Sequence, residues 1–157
     1  MSHFKGIIPV IITPLNRELE IDKVALENLC LKYKQNSVEA LWVLGTGGED
    51  MCLSFDDRVE VTNIVSDIVG SDINLIVGCS FFSPKESYKF IDATSDLKIN
   101  SYHAMPYHQK VSLSQLEEWY LQLANYSKLP LWLYTSGNWA QRMPPEFINT
   151  LKMHPNI

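Results

Sequence analysis

At 157 residues, with 46% hydrophobic and 20% charged side chains, the chain has the length of one domain and enough apolar material for a core. A formal net charge of −5 and the lack of a basic stripe exclude a nucleic-acid binder, and no apolar run has the length of a membrane span. The three cysteines, Cys30, Cys52 and Cys79, show no CxxC or Cys/His ligand spacing, which argues against a disulfide frame or a metal site and suits a reducing, cytoplasmic setting. Lys5 precedes the first apolar run, but Pro9, Pro14 and the polar stretch NRELE do not read as a signal peptide.

In chain order, GIIPVIITP is apolar and rich in β-branched residues, which predicts a first strand over Ile7 to Thr13. A helix over about Asp22 to Lys34 follows, with Val24, Leu26, Leu29, Leu31 and Tyr33 at roughly helical spacing. The second strand is Ala40 to Leu44. A second helix starts after Ser54, with Asp57 completing a near capping box. The third strand is Asn74 to Cys79. The third helix opens on Ser83, Pro84 and Glu86 as cap, first position and box partner. Ser101 to Met105 is the fourth strand, followed by a helix from Ser112 or Ser114 to about Tyr126. Pro130 to Tyr134 is the fifth strand, and a fifth helix runs from Pro144 and Pro145 to about Met153. The sequence HPNI then stands where a sixth strand would begin.

Five strand–helix units in series imply a parallel sheet covered by helices. An open doubly wound sheet and a (β/α)8 barrel both fit this order, and length alone favours the open sheet, because a barrel takes roughly 250 residues. In either case the carboxyl ends of the strands face one rim, where ligands bind.

The loop GTGGED, Gly45 to Asp50, leaves the second strand at that rim. It is no dinucleotide fingerprint, because Asp50 stands where the third glycine belongs, and no P-loop, because Glu49 stands where the lysine belongs. It is either a plain tight turn or a close-approach loop. The other strand ends carry PYHQK and YTSGN, so Thr46, Tyr107, His108 and Tyr134 are expected to converge at the rim.

The ordered motifs GIIPVIITPL, EALWVLGTGGE, LIVGC, MPY, LPLWLY and HPNI resemble the dihydrodipicolinate synthase / N-acetylneuraminate lyase family along the whole chain. The resemblance implies a partial (β/α)8 TIM barrel of about five βα units, with residues 1–157 the N-terminal part of a single domain that stops before strand six. It implies class I lyase or aldolase chemistry on pyruvate or a 2-keto-3-deoxy sugar acid through a lysine Schiff base, with no metal and no other cofactor, in a homo-oligomer. On this resemblance Gly45, Thr46, Gly47 and Gly48 hold the keto acid's carboxylate, which suits exposed backbone N–H groups. Tyr134 matches the tyrosine that relays protons, with Thr46 as a link, and Tyr107 and His108 flank the substrate.

The chain departs from the synthase pattern in four places. Gly47 replaces a second threonine, as in the sugar-acid aldolase branch. His108 replaces a second tyrosine. Trp139 stands where the synthases have an arginine. No lysine matches the Schiff-base residue, since Lys110 and Lys152 lie in other elements. The expectation is a chain inactive alone; the alternative is a non-catalytic short form that binds a keto acid or partner subunits. Plainer roles stand beside these: Thr46 and Glu49 as loop or cap residues, Tyr107 as packing, His108 as a solvated loop histidine, His103 as a core histidine. Trp42, Trp119 and Trp132 read as packing aromatics. Strand edges left unpaired predict an oligomeric or aggregating product.

Overall fold

The computed structural model describes residues 4–107, 110–136 and 140–157. It divides into two compact units: the chain up to Gly78 together with Ala93–Asn100, and Cys79–Asp92 together with Ser101–Ile157.

The first unit holds α1 (Lys23–Gln35), β1 (Ala40–Val43), α2 (Phe55–Val69) and β2 (Asn74–Gly78). The Asp22 carboxylate caps α1 by accepting the Ala25 N–H at 2.9 Å. The Ser54 and Asp57 capping box forms: Ser54 Oγ accepts the Asp57 N–H at 3.1 Å, and Asp57 Oδ2 accepts the Ser54 N–H at 3.1 Å. Val61, Val65 and Val69 recur every four residues and bury one face of α2. Lys34 joins the ends of the two helices, donating to the Ile68 carbonyl at 3.0 Å and pairing with Asp72 at 2.8 Å. β1 and β2 pair in parallel, Leu41 beside Leu75 and Val43 beside Val77. All four of these side chains are fully buried on one face, and Ala40 and Ile76 are fully buried on the other, as in a sheet covered on both faces.

The expected first strand does not form as a strand. Residues 7–13 follow β1 through three hydrogen bonds, Glu39 N–H to Ile7 O, Trp42 N–H to Pro9 O and Ile11 N–H to Trp42 O, and through one parallel bridge, Val10 to Trp42. Pro9 has no N–H to give, so the ladder loses a rung and shrinks to that bridge.

The second unit holds α3 (Pro84–Ala93), β3 (Ser101–Ala104), α4 (Leu113–Tyr126), β4 (Leu131–Leu133) and α5 (Pro145–Leu151). β3 and β4 pair in parallel, with His103 beside Trp132. Of the two candidate caps for α4, Ser112 is the one used, in a complete box with Gln115. Leu116, Tyr120 and Leu123 form the buried stripe of that helix. The segment HPNI is a turn that meets β4 through one hydrogen bond, the Leu131 N–H donating to the Asn156 carbonyl at 2.7 Å. The Asn156 side-chain amide also donates to the Ala124 and Ser127 carbonyls, each at 3.1 Å.

Four strands and five α-helices are therefore present among the described residues, against five strands and five helices expected. Other boundaries shift by a residue or two, within the fraying of element ends. Cys30 and Cys79 are buried, Cys52 is exposed, and none of the three is in a disulfide among the described residues. Burial pushes the Cys30 thiol up to about 11. Among the described residues no helix is long and apolar enough to cross a membrane, and no cluster of three metal-ligating side chains occurs.

Candidate functional site

In the first unit the glycine-rich loop is built as two successive 3-10 turns, Thr46–Gly48 and Asp50–Cys52, placed between β1 and α2. Gly48 N–H donates to Gly45 O at 2.8 Å, and Glu49 N–H donates to Thr46 O at 3.1 Å. The loop's bends are set by two residues in the left-handed region, Leu44 at φ 57° and Glu49 at φ 53°. That conformation costs a side-chain-bearing residue roughly 1–2 kcal/mol, and such outliers gather where backbone geometry serves a ligand. Gly48 is required by crowding: a Cβ there would lie 2.9 Å from the Ile11 carbonyl oxygen. Thr13 Oγ1 donates to the Gly48 carbonyl at 2.9 Å and ties the loop to the segment before α1.

The turn bonds consume the amides of Gly48 and Glu49. The N–H groups of Thr46 and Gly47, as the opening residues of a 3-10 turn, have no hydrogen bond among the described residues, nor has the Thr46 hydroxyl. Gly47 is exposed, Thr46 half-buried, Gly45 and Gly48 buried. The expected amides around Gly47 and Gly48 thus resolve into those of Thr46 and Gly47. Glu49 does not cap α2; that position belongs to Ser54.

In the second unit Tyr134 directly follows β4 and is half-buried. Its carbonyl accepts from the phenol of Tyr120 at 3.5 Å, and the same phenol donates to the Ala104 carbonyl at 2.9 Å. Tyr120 therefore bonds the backbone at the ends of β3 and β4. Burial holds its phenol far above the usual tyrosine range. Tyr107, half-buried, lines an apolar cavity of about 170 Å³ with Phe81, Phe82, Met105, Pro106 and Trp119. His103 is fully buried, and its carbonyl accepts the Cys79 N–H at 3.0 Å, as expected of a core position. His108 and Trp139 lie outside the described residues.

The structure thus brings Gly45, Thr46, Gly47 and Gly48 together in the first unit, and places Tyr107 and Tyr134 in the second. Sequence reasoning missed Thr13, Arg58 and Tyr120. Nothing in the local sequence marks an arginine on α2 or a tyrosine on α4 as buried, because both types ordinarily keep their polar ends in water.

Paired parallel strands, intervening helices and a ligand-ready loop at a strand's carboxyl end define a class, the βα-repeat proteins whose chemistry sits at one rim. Residues 3–157 match the Dihydrodipicolinate synthetase family, and the chain belongs to that family. It is 31% identical over 155 residues to the 4-hydroxy-tetrahydrodipicolinate synthase of Leuconostoc mesenteroides, across 97% of this chain and 54% of that one. It is 27% identical over 155 residues to the probable 2-dehydro-3-deoxy-D-pentonate aldolase of Escherichia coli K12, across 98% of this chain and 52% of the relative. The crystal structure of dihydrodipicolinate synthase from Aquifex aeolicus superposes with a TM-score of 0.91 at 24% identity, over 98% of this chain and 53% of that one. The Escherichia coli K12 prophage protein YagE, solved in complex with pyruvate, gives 0.88 at 26% identity, over 99% and 53%. The chain spans about half the length of the curated relatives it matches. Its fold is that of a partial (β/α)8 barrel, and the open sheet that length favoured is set aside.

Proposed function

We propose that this chain supplies the keto-acid half of a Schiff-base lyase or aldolase, acting on pyruvate or a 2-keto-3-deoxy sugar acid. The observation that carries the reading is that, among the described residues, the N–H groups of Thr46 and Gly47 and the Thr46 hydroxyl make no hydrogen bond. These are three donors on one turn, suited to the two oxygens of a carboxylate. On this reading Gly45 and Gly48 shape the turn, and Tyr134 moves a proton to and from the substrate with Thr46 as a link. Tyr107 and His108 contact the remainder of the substrate. Gly47 favours the sugar-acid branch, of which one relative, the pentonate aldolase, stands beside the synthases.

The covalent step needs a buried amine of lowered pKa. Lys110 and Lys152 are both exposed, so neither suits that role. These 157 residues are therefore expected to bind the keto acid without turning it over. The chemistry calls for no metal, because an amine serves where other aldolases use a cation. The reading takes the protein to be a cytoplasmic homo-oligomer with a small-molecule substrate, and with neither nucleic acid nor membrane as partner.

The test is the intact mass of the protein after pyruvate and borohydride, with both the 157-residue chain and the product its own gene expresses. No adduct on the 157-residue chain, with one reduced pyruvate on a longer gene product, is the expected result. An adduct on the 157-residue chain would place the nucleophile at a lysine this reading rejects. No adduct on a longer product would end the Schiff-base assignment.

A further inference from the structure

Asp50 and Arg58 are 1% and 3% exposed, an opposite pair almost wholly removed from water in the first unit. Arg58 Nε donates to the Asp50 backbone carbonyl at 2.9 Å. One terminal guanidinium nitrogen lies 3.5 Å from Asp50 Oδ2 and 3.4 Å from the Met51 sulfur. Burying two charges costs more than a well-packed apolar pair, so such a pair is weak evidence of added stability; its best-attested use is to fix one conformation.

The conformation at stake is that of the loop. Arg58 grips Asp50 at both its carbonyl and its carboxylate. Asp50 directly follows Glu49, the residue held at φ 53°, whose N–H closes the Thr46 turn. Thr13 holds the same turn at its last residue, through the Gly48 carbonyl. The two anchors, at Gly48 and at Asp50, flank Glu49, and the open donors belong to Thr46 and Gly47 directly before them. We propose that Asp50 and Arg58 are positioning residues for the substrate carboxylate. Their buried pair keeps Glu49 left-handed and so keeps the Thr46 and Gly47 N–H groups aligned for an anion. This rests on the carboxylate reading of the loop given above.

The experiment follows backbone amides by NMR in the protein as its own gene expresses it, comparing the natural protein with Asp50→Asn and Arg58→Lys. Two quantities are read: hydrogen-exchange rates at Gly48, Glu49 and Val65, and the pyruvate Kd from shifts at Thr46 and Gly47. In Asp50→Asn, losing one charge-assisted contact is expected to speed exchange at Gly48 and Glu49 by about tenfold and weaken pyruvate by a similar factor, with Val65 unchanged. Arg58→Lys keeps the charge and loses the fork; it is expected to fall between, and it stands in should Asp50→Asn fail to fold. Unchanged loop amides would overturn the proposal. So would equal acceleration at Val65, which marks a purely structural pair, or a loosened loop with unaltered pyruvate affinity. If the natural protein binds no pyruvate while the variants loosen the loop alone, the carboxylate reading falls and the clamp itself stands.

Discussion

Gly48 and Gly47 are adjacent and face different obstacles. A methyl group at Gly48 meets the Ile11 carbonyl at 2.9 Å, which is backbone and cannot move aside; at Gly47 it meets a Val10 methyl at 3.0 Å, which can rotate. Gly48→Ala is expected to cost about 1–3 kcal/mol in urea unfolding, and Gly47→Ala clearly less. Equal costs would show that the carbonyl contact does not control the loop. Tyr120 sets a second test at this scale. Its phenol is held protonated well above the unfolded value of about 10 by burial, so its contribution is full below that pH and declines as pH climbs toward the raised folded value. Tyr120→Phe is expected to lower stability by about 1 kcal/mol at neutral pH and to flatten the alkaline decline. Parallel decline in the two proteins, followed by circular dichroism from neutral to alkaline pH, would contradict that. Among single residues, Thr46 and the glycines were legible because their order is specific. The bonds made by Thr13, Arg58 and Tyr120 were not, because they join residues at least seven apart in sequence.

Helices were the readable elements. The expected box of Ser54 with Asp57 forms, and Ser112, one of the two expected starts of α4, forms a further box with Gln115. Ser54→Ala is expected to destabilise the first unit by about 1 kcal/mol, seen as a lower thermal midpoint with α2 amides exchanging faster than those of α4. A uniform change in both helices would contradict the assignment. Strands were less readable, since an apolar β-branched run states burial but not pairing. Residues 7–13 have the composition of a strand, yet Pro9 withholds the N–H that a ladder needs, and one bridge is what remains. The left-handed residues Leu44 and Glu49 gave no warning, because neither is a type that favours positive φ.

At the scale of the whole chain, length misled: it favoured an open sheet, and only the order of motifs pointed to a barrel of which this chain spans about half. The same circumstance leaves apolar side chains near an unfinished edge. Ile7 is 73% exposed and Ile12 is 55% exposed on the segment that runs beside β1. Such an edge recruits further chains. The 157-residue protein is expected to elute well above 18.0 kDa on size exclusion or to aggregate, and Ile7→Lys with Ile12→Lys to shift it toward the smaller species with its far-UV spectrum retained. A sharp monomer peak from the natural sequence would contradict this.

The cysteines, which take no part in the proposed chemistry, turn the loop into an addressable place. Cys30 and Cys79 are shut away, and the Cys30 thiol is held protonated by its burial, while Cys52 stands in the open within the turn that begins at Asp50. A maleimide dye would therefore mark these 157 residues once when folded, two residues past Asp50, with no engineering of the sequence. Its emission would report in real time whether that turn shifts when a keto acid arrives.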